Sequence, residues 1–127
     1  MNTDWSVEIQ KVFKSFSYAI TGLAHATKRE RNLRIHLTIT VLVCILGFYF
    51  SISVTKWLII LLAIGGVISL ELVNTALERV VDLVTSDYQP LAKQAKDVAA
   101  GAVLVYAIIA VIIGILIFLP EIIQRLT

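Results

Sequence analysis

The sequence predicts an all-α integral membrane protein, with an N-terminal amphipathic surface helix followed by three transmembrane helices. Two observations lead to this prediction. Of the 127 residues, 58% are hydrophobic and only 16% are charged, and two uncharged stretches have the length of a membrane span. A chain this short has too little interior to hide so much apolar surface from water. We therefore expect a single membrane-embedded domain over residues 1–127.

The first segment, at about residues 4–28, is predicted to lie on the membrane surface. Its apolar residues recur at helical spacing and form one stripe, comprising Ile9, Val12, Phe13, Phe16, Ile20, Leu23 and Ala24. Lys11 and Tyr18 fall on the opposite face. This pattern is typical of a helix in the membrane interface. Its lysines have two interpretations, anchoring to anionic lipid and binding of a ligand.

Three spans are predicted next, at about residues 33–54, 56–84 and 92–119. The first and third contain the uncharged stretches 37–55 and 98–119. In the second, Glu71 interrupts the apolar run, but helical spacing of apolar residues continues to Val84. We therefore expect one long helix with a charged second half. A loop is predicted at 85–90, because Pro90 disfavours helix in the residue before it.

The distribution of Lys and Arg predicts the orientation. Basic residues cluster before the first span and around the loop at 85–90, whereas Lys56 and Arg125 stand alone on the other side. The N-terminus and this loop are thus predicted to face the cytoplasm, the compartment that holds ATP. A net charge of +2 without a long basic run gives no reason to expect a nucleic-acid partner. The single Cys44 excludes a disulfide within the chain.

A polar stripe lies on the second span. Glu71, Asn74, Glu78 and Asp82 fall within a sector of roughly 80° on a helix. Ionisable groups at membrane depth are costly, so function is the default hypothesis, and pairing with basic residues to hold helices together is the alternative. Oxygen ligands of this kind favour Mg²⁺.

Two further charged clusters flank the stripe. Glu30 and Arg34 lie at the start of the first span, and Lys96 and Asp97 share a face with Lys93 at the start of the third. We expect Glu30, Lys96 and Asp97 to lie at the level of Glu78. Metal ligands, cations and a carboxylate base are the requirements of phosphoryl transfer. No Walker A sequence or protein-kinase motif occurs, so an unrelated kind of kinase is expected. Gly65-Gly66 is interpreted as a helix-packing site.

Three strings carry a family resemblance, namely GLAHATKRERNLRIHL at 22–37, ELVNTALERVVD at 71–82 and AKDVAAGAVL at 95–104. Through them the chain resembles the prokaryotic diacylglycerol kinase family, small trimeric membrane kinases whose active sites lie between subunits. The segment ERNLRIHL is similar to the Gram-positive branch, whose members act on undecaprenol. The resemblance therefore implies a homotrimer with ATP and a lipid alcohol as substrates.

The resemblance also implies residue roles. Glu71 would be the catalytic base on the lipid hydroxyl, Asn74 would position the base or the acceptor, and Ala100 would contact the lipid. Mg²⁺ would be held with the phosphates of ATP by Glu30 and Glu78. Further contacts with ATP are implied for Lys11, Tyr18, Asp87, Lys96 and Asp97.

The sequence departs from the family pattern at three positions. Lys11 stands where some relatives have arginine, which keeps the charge but loses a bidentate fork. Gln89 replaces a histidine. His36 replaces a carboxylate and is left out of the predicted site.

The favoured function is ATP-dependent phosphorylation of undecaprenol at the cytoplasmic membrane face. Diacylglycerol is the alternative acceptor, and composition does not separate the two. A small cation-coupled transporter is an alternative of another class, although transporters typically need a buried carboxylate near the midplane and these acids crowd one interface. A non-catalytic assembly subunit is a third hypothesis.

Overall fold

The computed structural model describes residues 5–126, which form four helices. They are α1 (Trp5–Arg29), α2 (Arg31–Tyr49), α3 (Val54–Val84) and α4 (Pro90–Leu126). The last three are long and apolar enough to cross a membrane. The all-helical prediction is confirmed, while the predicted start of the surface helix at residue 4 lies outside the described residues.

The connection between α2 and α3 differs from the prediction. The first span was predicted to reach residue 54, whereas α2 ends at Tyr49 and the chain turns through Ser51, which has a φ of 50°. Ser53 caps the next helix by accepting a hydrogen bond from the N–H of Lys56 at 3.4 Å, so α3 begins at Val54 and not at residue 56. The sequence pattern does not predict this turn, because apolar residues continue through it.

The α4 helix is longer than predicted at both ends. Its predicted limits were residues 92–119, but it begins at Pro90 and continues through Pro120 to Leu126. Pro90 suits the first turn, where its missing N–H leaves no intrahelical bond unmade. With 37 residues, α4 is about 55 Å long. This length exceeds the ~30 Å hydrocarbon core of a bilayer, so the helix projects beyond it.

The α3 helix is the centre of the packing. It lies along α4, contacts α2, and meets α1 only near the α1–α2 junction, where Ala26 is buried. A buried cluster joins the α2–α3 turn to both long helices and consists of Ile52, Ile60, Ile117 and Phe118. Lys56 pairs with Glu121 at 2.5 Å, and Arg125 donates to the carbonyl oxygen of Tyr49 at 3.1 Å. These contacts stabilise the end of the helix bundle that contains the α2–α3 turn, opposite to the polar stripe.

Gly66 permits the close approach of α3 and α4. A Cβ atom at position 66 would overlap the ring of Tyr106, whose hydroxyl donates to the carbonyl oxygen of Leu62 at 3.2 Å. A Cβ atom at Gly65 would meet nothing within 4 Å. The predicted helix-packing site at Gly65-Gly66 is therefore confirmed through Gly66, while Gly65 borders open space in the single chain.

We expect Gly66→Ala to lower the free energy of unfolding by about 1–3 kcal/mol, because the added methyl group displaces the Tyr106 ring. Denaturant titration in detergent micelles measures the change, with Gly65→Ala as the matched control. In a Tyr106→Leu background the cost of Gly66→Ala should shrink, since the two residues are in contact. An unchanged cost in that background would contradict the assignment.

Candidate active site

The buried face of α3 changes from apolar to polar along its length. Its buried residues are Ile60, Ala63, Val67, Glu71, Asn74 and Thr75. Glu71 is only 3% exposed and Asn74 only 6%. Burial of a carboxylate and an amide on one face, inside a segment long enough to span a membrane, is costly and indicates a functional site.

Asn74 connects two parts of this face. Its Nδ2 donates a hydrogen bond to Oε1 of Glu78 at 3.0 Å. Its Oδ1 is buried and has no hydrogen-bond partner among residues 5–126. An unpaired buried oxygen costs free energy. The amide oxygen of Asn74 is therefore suited to a bound cation or a bound hydrogen-bond donor.

Glu30 joins the helix junction to α3. It is the one residue between α1 and α2, and its extended backbone (φ −92°, ψ 119°) separates the two helices. Its carboxylate accepts a hydrogen bond from Nη2 of Arg79 at 3.0 Å. Because Arg79 follows Glu78 directly, Glu30 lies at the predicted level. Glu30, Glu78 and His36 all lie close enough to Glu71 to act on its charge.

A second set of charges lies near the loop. Lys96 pairs with Asp82 at 2.5 Å, and Lys93 pairs with Asp97 at 2.5 Å. Lys96 was predicted at the level of Glu78, but it lies one turn farther out. The reason is that a short loop brings the first turns of α4 against the last turns of α3.

A cleft of about 360 Å³ opens between this loop and the adjoining helix ends. Asp87, Lys96 and Lys93 are among the residues that line it. The N–H of Asp87 donates to Oγ1 of Thr85 at 3.1 Å, which shapes the turn. Two of the predicted ATP-binding residues, Asp87 and Lys96, thus lie together, and Asp97 adjoins them through Lys93.

Three predicted site residues are exposed on the surface of the single chain. Lys11 pairs with Glu8 on its own helix at 2.7 Å. Tyr18 is 71% exposed and has no hydrogen-bond partner within the described part of the chain. Ala100 is also exposed. Within residues 5–126, Lys11 and Tyr18 therefore make no side-chain hydrogen bond or ion pair with α3, and Ala100 is exposed on α4.

An apolar groove of about 280 Å³ leads towards the polar face. Its floor is α3, its walls are α2 and α4, and small residues on α4 leave it open, namely Ala107, Ala110 and Gly114. The floor residues Val67 and Ile68 lie one turn before Glu71. His36 and Thr40 are the polar residues that line the groove, and the Thr40 hydroxyl already donates to the carbonyl oxygen of His36 at 2.9 Å.

His36 and Arg79 are the residues that sequence reasoning missed. His36 replaces a carboxylate of the family and is not part of the predicted site, yet it lines the groove and is an ionisable neighbour of Glu71. Arg79 is one of the basic residues near the loop at 85–90, where the sequence assigns it no role in the site, yet it contacts Glu30. Both roles depend on which helices adjoin, so no pattern along the chain identifies them.

Glu30 and Glu78 are the side chains proposed to bind magnesium. No group of three His, Cys, Asp or Glu side chains comes together as a metal site in residues 5–126. Mg²⁺ in kinases usually takes only one or two carboxylates, and water and phosphate oxygens complete its shell. Glu30 and Glu78 supply carboxylate oxygens, which are the hard donors that Mg²⁺ prefers, so these two residues fit a magnesium ion.

Comparison with known proteins decides the family. Residues 17–118 match the family model of prokaryotic diacylglycerol kinase. The chain belongs to the prokaryotic diacylglycerol kinase family. It is 51% identical to the undecaprenol kinase of Bacillus subtilis over 114 residues, which cover 90% of this chain and 93% of that protein.

Other members of the family are more distant. The chain is 44% identical over 111 residues to a diacylglycerol kinase of Synechocystis, with 87% of this chain and 63% of that protein covered. It is 33% identical over 97 residues to a diacylglycerol kinase of Helicobacter pylori, with 76% and 75% covered. Diacylglycerol kinase family membership makes the chain a lipid kinase of a bacterial membrane, as the sequence predicts. It does not favour the transporter or the assembly subunit.

Proposed function

We propose that the chain transfers the γ-phosphoryl group of ATP to the hydroxyl of undecaprenol, giving undecaprenyl phosphate and ADP. The observation that carries this proposal is that the apolar groove reaches Val67 and Ile68, one helical turn before the buried Glu71. A long lipid alcohol lying in the groove would bring its hydroxyl to the acidic face of α3. The 51% identity to an undecaprenol kinase supports the choice of acceptor.

The lining of the groove favours a polyprenol over diacylglycerol. A polyprenol has one hydroxyl on an otherwise hydrocarbon chain, whereas diacylglycerol has two ester groups beside its hydroxyl. Near Glu71 the groove offers Ile39, Val67 and Ile68, and the Thr40 hydroxyl is already engaged. His36 is the side chain of the lining that could still donate, so the two ester groups placed there would lose water and gain at most that one partner, which costs free energy.

In the proposed reaction, Glu71 takes the proton of the lipid hydroxyl as the oxygen attacks the γ-phosphorus and the bond to ADP breaks. Asn74 holds the carboxylate of Glu78 through its amide and offers its free Oδ1 to the same face. Glu30 and Glu78 would hold Mg²⁺. That ion, when bound, neutralises charge on the phosphate oxygens.

The nucleotide is proposed to extend from Glu78 towards the loop cleft. Lys96 and Asp87 line that cleft, and Asp97 adjoins it. A site in which a lysine lies among carboxylates suits a polyphosphate that carries a bound metal ion. We place ATP on the cytoplasmic side, together with the N-terminus.

A homotrimer would complete the site. Lys11, Tyr18 and Ala100 are exposed in one chain, so we propose that they serve the site of a neighbouring subunit. The apolar stripe of α1 would lie in the membrane interface, because its large side chains are exposed in the single chain.

The acceptor is tested with purified full-length protein in lipid nanodiscs, supplied with Mg·ATP and either undecaprenol or a diacylglycerol. We expect a higher kcat/KM for undecaprenol. Faster turnover of diacylglycerol would overturn the proposed acceptor. Phosphorylation of neither lipid would overturn the kinase assignment.

Filling the groove is expected to weaken acceptor binding. Ala110→Phe should raise the KM for undecaprenol by about tenfold or more, because the ring occupies space that the lipid chain needs. The KM for ATP should stay the same. Ala102→Phe, at an exposed position of the same helix, is the matched control. Equal effects of the two substitutions on the KM for undecaprenol would contradict the proposed location.

A further inference from the structure

One guanidinium contacts the carboxylates that surround Glu71, and its partner is Glu30. Glu30 and Glu78 lie close enough to Glu71 to act on its charge. Within residues 5–126, the Lys or Arg side chain that pairs with this set is Arg79, which contacts Glu30 at 3.0 Å. Lys96 is paired with Asp82 instead. Arg79 is therefore the Lys or Arg side chain that offsets negative charge here, and His36 is the other basic neighbour of Glu71.

We infer that Arg79 holds the Glu30 carboxylate while no metal is bound, and that metal binding at Glu30 releases the guanidinium to the phosphate oxygens of ATP. This inference rests on the proposed function, which assigns Glu30 to Mg²⁺. It adds to the proposed site a cation that the sequence did not single out.

The contact between Arg79 and Glu30 is suited to exchange. The two side chains are 44% and 28% exposed, and half-exposed ion pairs add little to stability. A divalent ion attracts a carboxylate more strongly than a single positive charge does. The helix junction does not depend on the pair, because the N–H of Glu30 also donates to the carbonyl oxygen of Ala26 at 2.8 Å.

The released guanidinium has room to move. Arg79 borders a cleft of about 490 Å³ between α1 and α3, where small side chains such as Ala19 and Ala76 leave space. A Cβ atom at Gly22, which also lines this cleft, would meet nothing within 4 Å. The planar fork of arginine matches two phosphate oxygens, and it would offset the repulsion between phosphate and the remaining carboxylates Glu71 and Glu78.

The test measures metal binding separately from turnover. Mn²⁺ replaces Mg²⁺ as a spectroscopic probe, and its binding to the full-length protein without nucleotide is followed by electron paramagnetic resonance. Arg79→Met should bind Mn²⁺ about threefold to tenfold more tightly than the unchanged protein, because a competing positive charge is gone. Its kcat for undecaprenol should fall about tenfold or more, because phosphate charge is no longer offset.

Two further variants separate this role from a purely structural one. Arg79→Lys should keep the Mn²⁺ affinity of the unchanged protein and still lose turnover, since the charge remains and the fork does not. Arg31→Met removes an exposed charge at the start of α2 and should change neither quantity. If Arg79 only stabilised the fold, Arg79→Met would weaken both Mn²⁺ binding and turnover.

Equal or weaker Mn²⁺ binding by Arg79→Met overturns the inference. Arg79→Gln gives the same comparison where Arg79→Met does not fold, and melting temperatures in detergent identify that case. Failure of the proposed function is a different result, namely that the unchanged protein does not phosphorylate undecaprenol. Measurement of turnover by the unchanged protein beside the Mn²⁺ titrations therefore distinguishes the two.

Discussion

Glu71→Gln is expected to lower kcat for undecaprenol phosphorylation by about 10²–10⁴-fold, the usual contribution of a positioned general base. Glutamine keeps the size of the side chain and its place on the buried face of α3 but does not accept the proton of the lipid hydroxyl. The KM for Mg·ATP should change little, because the nucleotide is proposed to bind nearer to Glu78.

Steady-state kinetics with ATP and undecaprenol each varied in turn measure both parameters. Glu121→Gln is the matched control, since it makes the same chemical change at the opposite end of the bundle, where Glu121 pairs with Lys56. That variant should keep kcat. If Glu71→Gln retained kcat within a few-fold, Glu71 would not be the base.

Glu78→Gln is expected to affect metal dependence as well as rate. The half-saturating Mg²⁺ concentration should rise by about 10- to 100-fold, because a proposed ligand loses its charge. The rate at saturating Mg²⁺ should also fall, since Asn74 donates to Oε1 of Glu78 at 3.0 Å and would lose a charged partner that orients it.

Magnesium titrations at a fixed, saturating ATP concentration measure this shift, and Glu121→Gln again serves for comparison. Glu71→Gln, in contrast, should lower kcat without moving the magnesium midpoint. An unchanged midpoint in Glu78→Gln would remove Glu78 from the metal site and leave Glu30 as the proposed carboxylate ligand.

Much of the fold follows from hydrophobic pattern and helix spacing. The continuation of α3 past Glu71 to Val84 is predicted because apolar residues keep the helical period through the charged segment. The α2–α3 turn is not predicted, because Phe50 and Ile52 extend the apolar run across it. Hydrophobicity reports the environment of a segment and does not report a break in its backbone.

The proposed site divides in the same way. Glu71, Asn74 and Glu78 lie on one face by their spacing alone, and the structure buries the first two. The partners of that face were not predictable. His36 reaches it from α2, and Arg79 contacts Glu30 across the helix junction.

The sequence by itself determined that the chain is a helical membrane protein, that α3 carries an acidic face, and that the residues of this face resemble those of a lipid kinase family. Only the tertiary structure decided that Arg79 pairs with Glu30, that Lys96 pairs with Asp82, and that a groove lined by His36 reaches within one helical turn of Glu71. The physical reason is that the sequence pattern reports local structure, whereas these contacts join residues that are far apart along the chain. Helical periodicity is a local property that orients each residue about its own axis. Contacts between helices depend instead on the turns that set the register of one helix against the next.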